Sequence, residues 1–150
     1  MINYSDGDVK LLDELERLSR SRLLLSKGLE SVYTKQLSYI NDGNIDSCLE
    51  CIKTTDDIFI KLNDVNESIN EIIKRLSCDK KQIENALFEI EPNQNLESNN
   101  ELSENFKISN KVLKNCKILN ERLSFQMSET SEMLLSKLNN IKQRKLIEQI

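Results

Sequence analysis

Cys48-x-x-Cys51 is the one closely spaced thiol pair in a 150-residue chain that has four cysteines and no histidine. Such a pair supports two kinds of chemistry: thiol–disulfide exchange, or half of a zinc site. Exchange favours a first cysteine at a helix N-terminus, where the positive end of the helix lowers its pKa. If Asn44 caps the helix that carries the pair, Cys48 lies a full turn inside, where that field has faded. No βαβ pattern surrounds it. Zinc needs four ligands, and Cys78 stands 27 residues beyond Cys51, roughly 40 Å away along a straight helix. On a helical wheel Cys48 falls near the middle of the stripe made by Leu49, Ile52, Phe59 and Leu62, and Cys51 at its edge. The spacing therefore favours two small apolar packing residues, with Cys116 a third, and no metal or cofactor is expected.

Carboxylates give no stronger sign of catalysis. Glu14/Glu16 and Asp56/Asp57 have the spacing of solvated helix faces rather than of an isolated acid–base pair. The chain has no nucleophile elbow and no Gly-rich phosphate loop, so the expectation is a binding protein and not an enzyme.

The elements that carry these residues are helices. With 3 Gly, 1 Pro, 5% aromatics and no Trp, the chain lacks the punctuation that hairpins and βα loops require. A 38% apolar share is enough for seams between long helices. The net charge of −4, with both signs interleaved, gives no electrostatic reason to expect nucleic acid as a partner. The opening MINYSDGDVK has neither a basic n-region nor an apolar h-region, and no stretch reaches the roughly 20 apolar residues of a membrane span. A cytoplasmic protein with reduced thiols and no membrane insertion is the expectation.

Spacing predicts four helices in a single domain over residues 1–150: about 9–41, 45–76, 79–90 and 101–148, with a loop over 91–100 around the only Pro. The first carries Leu11, Leu15, Leu18, Leu25, Leu29, Val32 and Ile40 at 4-3 spacing, interrupted by Arg22 and Gln36. Asp42-Gly43-Asn44 ends it and caps the next, which forces two adjacent antiparallel helices. The second seam reads Ile45, Leu49, Ile52, Phe59, Leu62, Ile69, Ile72/Ile73 and Leu76, with Thr55 and Asp56 filling a gap. The last reads Leu102, Phe106, Leu113, Cys116, Leu123, Met127, Thr130, Leu134, Leu138 and Ile141. The fold class expected is all-α: an elongated antiparallel helical bundle or coiled-coil hairpin of three to four helices.

The final helix ends in LNNIKQRKLIEQI, where an apolar stripe runs beside a basic flank. Those residues either close the bundle or dock a partner's amphipathic helix.

YTKQLSYINDGNIDSCLECIKTTDDIFIKLNDVN resembles the turn and second helix of the small flagellar type III export chaperones, with apolar residues at Ile45, Leu49, Ile52, Ile58 and Leu62. The basic, apolar end of the last helix is also similar. The filament-cap chaperone branch is nearest, followed by the hook–filament junction chaperone branch. The resemblance implies a cytosolic, ATP-independent chaperone. It would bind a flagellar cap or hook–filament junction protein, prevent premature assembly and deliver its client to the export apparatus. By region and pattern it assigns partner binding to Leu134, Leu138, Ile141, Lys142, Arg144, Lys145, Leu146 and Ile147. Two rivals stand beside it: a structural coiled-coil protein that self-associates, starting with a homodimer, and a thiol redox or metal-binding protein built on Cys48 and Cys51.

Overall fold

A computed structural model describes residues 6–76 and 100–148, and in it the chain is all-α. Three helices make up the described residues: α1 (Asp6–Asn41), α2 (Ile45–Arg75) and α3 (Asn100–Glu148). The expected helix at 79–90, and the loop at 91–100 up to its last residue, lie outside the described residues. Asp6 and Asp8 sit inside α1 rather than ahead of it, and Asp8 is buried.

The turn between α1 and α2 is set by Gly43. Its φ of +74° is a left-handed conformation that costs an L-residue energy and glycine almost none. With Gly43 in that state, its N–H reaches the carbonyl of Ile40 (3.1 Å) and the N–H of Asn44 reaches that of Tyr39 (2.8 Å). These are the two bonds of a Schellman motif, and they satisfy carbonyls that α1 would otherwise leave open. Asn44 then starts α2, its side-chain oxygen accepting from the Ser47 N–H at 3.2 Å. Asp46 in the first turn of α2, and Lys74 and Arg75 in its last, complement the helix dipole.

The chain runs up, down and up. Leu12, Leu15 and Leu18 of α1 meet Ile69, Ile72 and Ile73 of α2, while Gln36 meets Cys48, so α1 and α2 are antiparallel. Arg20 pairs with Glu101 (3.3 Å), Glu30 accepts from Asn115 (2.9 Å) and Gln36 lies against Met127. This rising series makes α3 parallel to α1 and antiparallel to α2. α1 is the central helix and makes the close backbone contacts with both neighbours.

Two apolar clusters form the core. The first joins Leu12, Leu15 and Leu18 to Ile69, Ile72, Ile73, Leu76, Leu102 and Phe106; the second joins Leu29 and Tyr33 to Leu62, Cys116 and Leu123. Between them lies a polar layer. Arg22, which breaks the apolar seam in sequence, is buried here: its Nε donates to Asn66 Oδ1 (3.3 Å), an Nη to Ser109 Oγ, and its guanidinium lies 5.4 Å from the Phe106 ring centroid. One side chain thus ties all three helices together. Asn105 Nδ2 donates to Ser19 Oγ (3.1 Å), and Ser26 Oγ donates back to the Arg22 carbonyl (2.7 Å). Burial removes the solvation of the guanidinium and pulls its pKa down, while these partners are neutral.

The second half of α2 packs as its spacing predicts, but the first half does not. Ile45, Leu49 and Phe59 are 51%, 53% and 42% exposed, and the buried residues there are Cys48, Cys51 and Thr55. The physical reason is the layout around α1. Where α2 faces only the central helix, its buried stripe is narrow and centred on the thiols, and the flank toward α3 stays uncovered.

α3 outlasts its neighbours. Its 49 residues span about 73 Å at 1.5 Å per residue, against about 54 Å for the 36 of α1. The register of the Gln36–Met127 contact places the last residue of α1, Asn41, level with Glu132. From there α3 continues for about 24 Å, past the α1–α2 turn.

Candidate functional site

Both members of the thiol pair lie in the core. Cys48 and Cys51 are both buried and both free, and each thiol pKa is raised, chiefly by loss of solvent. The Cys48 thiol points at the Gln36 carbonyl of α1, 3.8 Å away. Cys51 is as deep as Cys48 rather than at an edge, because the buried stripe of α2 is centred between them. Cys116, against the Ser26 carbonyl at 3.9 Å, has its pKa pushed up to about 11 by burial and then by the nearby Glu30 carboxylate. These thiols are placed for packing, and their raised pKa values oppose nucleophilic use at neutral pH. Among the described residues no group of three or more metal-capable side chains comes together. Cys78 lies outside the described residues.

The carboxylates are surface groups. Glu14 pairs with Arg17, whose hydrogen bond lowers its pKa, and Asp56 and Asp57 are exposed. Glu16 differs: a hydrogen bond to the Glu101 carboxylate, partial burial and the charge of Glu101 raise its pKa. This is an acidic contact between α1 and α3 beside Arg20, open to solvent.

The concave feature with binding character lies between α2 and α3, over α1, near the α1–α2 turn. It is a groove of about 250 Å³. Its walls are Ile52, Asp56 and Phe59 from α2 and Asn120, Leu123, Ser124 and Met127 from α3; Tyr33 and Gln36 of α1 form its floor. Phe59 and Met127 are 42% and 40% exposed. Thr55, 8% exposed, lines the same groove, and its buried hydroxyl has no hydrogen-bond partner among the described residues. Ile45 and Leu49 extend the apolar flank of α2 toward the turn.

The eight residues that the sequence assigns to partner binding are on the part of α3 beyond Glu132. Leu134, Leu138, Ile141, Lys142, Arg144, Lys145, Leu146 and Ile147 all have helical backbone, and their side chains are outside those described. They stand on one continuous element, past the end of α1 and away from the groove of their own chain. Sequence reasoning assigned Ile52, Phe59 and Met127 to the closed seams and so missed the groove. A signal was present in Thr55 and Asp56, which put polar groups in the gap of an apolar repeat.

No helix among the described residues is long and apolar enough to cross a membrane. No protein-family model, characterised protein or solved structure gives a significant match to this chain.

Proposed function

We propose that the chain is an export chaperone of the flagellar type III pathway, which binds an amphipathic helical segment of a cap or hook–filament junction protein in the cytoplasm. The observation that carries the binding role is the uncovered groove between α2 and α3, with Ile52, Phe59 and Met127 along it and the last two exposed. A groove flanked by helices accepts a further helix along its length, and covering it hides surface from aggregation. The flagellar assignment rests on the resemblance of residues 33–66 and 138–150 to that chaperone family. The mechanism needs no bond-making step: the client's apolar face is held until the export apparatus takes it over.

Capture of purified flagellar cap and hook–filament junction proteins by the full chain tests this reading. The expected result is a one-to-one complex with one of them, lost in the Ile52→Glu and Phe59→Glu variants. Failure to bind either protein, or binding that both substitutions leave intact, would overturn it.

A second reading, a self-associating structural protein, is favoured by the length of α3 beyond Glu132.

A further inference from the structure

We infer that the segment of α3 beyond Glu132 occupies the α2–α3 groove of a second copy of the chain, in a reciprocal two-fold exchange. The inference is independent of which client, if any, the groove also accepts.

Continuity of the apolar repeat is the first argument. The residues that α3 turns to the core, Leu102, Phe106, Ser109, Cys116 and Leu123, follow a 4-3 spacing. Thr130, Leu134, Leu138 and Ile141 follow at steps of four, four and three, which keeps them on the same helix face, while the end of α1 is already level with Glu132. One helix face therefore keeps its apolar pattern after its intrachain partner has ended. The groove offers the opposite situation: Ile52, Phe59 and Met127 line it with no helix over them.

Reach decides which copy fills the groove. α3 is one uninterrupted helix to Glu148 and points away from its own groove past the α1–α2 turn. It cannot double back without breaking. A second copy related by a two-fold axis near Glu132 presents its α3 antiparallel to the first. The stretch beyond Glu132 is about 24 Å long, and an equal length back from Glu132 covers the groove wall from Met127 to Asn120. In that register Ile141 of one copy comes opposite Leu123 of the other. Such an interface is self-complementary, as a two-fold dimer requires.

Charge points the same way. Residues 137–148 carry Lys137, Lys142, Arg144 and Lys145 against the single Glu148. The start of α2 carries Asp46, Glu50, Asp56 and Asp57 against the single Lys53, and of these Asp56 lines the groove. A basic helix end is attracted to a groove whose one charged lining residue is a carboxylate.

Sedimentation velocity of the full chain across micromolar concentrations tests the exchange, with helicity followed by circular dichroism. The expected species is a dimer. Placing a charge in the groove (Ile52→Glu with Phe59→Glu) should raise the dimer dissociation constant by on the order of tenfold or more, as should Arg144→Glu with Lys145→Glu on the far end of α3. Mixing the two variants should regain a heterodimer, because one of its two contacts then pairs an intact groove with an intact helix end. A full chain that remains monomeric would overturn the inference. So would a dimer indifferent to the groove substitutions, or a mixture that forms no heterodimer. If the groove variant loses helicity, the Arg144/Lys145 reversal, which lies beyond the bundle, decides the matter alone. None of these readouts involves a client, so their failure and that of the chaperone assignment are separate events.

Discussion

Replacing Arg22 by methionine and, separately, by alanine should have very different consequences. The side chain is 8% exposed and lies between three helices, so truncation to alanine removes packed atoms from the interior. The two methylenes that alanine lacks, Cγ and Cδ, at about 0.8 kcal/mol each amount to roughly 1.6 kcal/mol of lost burial, to which the cavity left behind adds. The polar terms nearly cancel. Two hydrogen bonds from a charged donor and a cation–π contact with Phe106 together contribute about 4 kcal/mol. Burying a cation among neutral partners costs several kcal/mol in the other direction. Removing the guanidinium also strands little: Ser109 Oγ still donates to the Phe106 carbonyl at 3.1 Å, and Asn66 is half-buried and reaches water. Methionine keeps the volume and drops the charge, so it should lie within about 1 kcal/mol of the parent. Alanine should be destabilised by about 2 to 3 kcal/mol. Urea unfolding followed by circular dichroism measures both. With an m-value of about 2 kcal/mol/M, alanine lowers the midpoint by a little over 1 M and methionine barely moves it. If methionine falls as far as alanine, the charge itself stabilises the fold and the reasoning fails.

Three other outcomes follow from single side chains. A Cβ added at Gly28 meets only Ile58 Cδ1, at 3.8 Å, so Gly28→Ala should raise stability by about 0.5–1 kcal/mol through helix propensity; a lower urea midpoint would show a closer contact than this. Glu16 has a folded-state pKa above its ordinary 4.5, so its contribution is fully present below that value and is lost as pH rises through the raised one. Glu16→Gln should therefore be more stable than the parent at neutral pH, the difference closing toward about pH 4; a difference that grows on acidification contradicts the sign. With Cys116 titrating near 11 and Cys48 and Cys51 also raised, a thiol reagent at pH 8 should label these three only after unfolding; rapid labelling of Cys48 in the native chain would restore the redox reading.

Much of the fold was legible because its determinants are local. Gly43 and Asn44 specify a left-handed C-cap and an N-cap within two residues, and neither needs a distant partner to be recognised. The apolar spacing of α1 and α3 likewise reports helices directly, since a period of 3.6 residues is written into the chain. What was misread lay where a face depends on the neighbour across from it. Ile45, Leu49 and Phe59 have the spacing of a seam, yet they are uncovered because α2 and α3 diverge over α1.

Arg22 illustrates the same division. In sequence it only interrupts an apolar repeat; in the bundle it sits between Asn66 and Ser109, residues 44 and 87 positions away. Helix periods and turn residues declare themselves within a few positions, so the sequence alone determined three long helices and the reversal at Gly43. The packing of α2 and α3 on α1 decided which polar groups the core encloses, where the groove opens and how far α3 runs beyond its neighbours. Those are distances between residues far apart in the chain, and no local spacing encodes them.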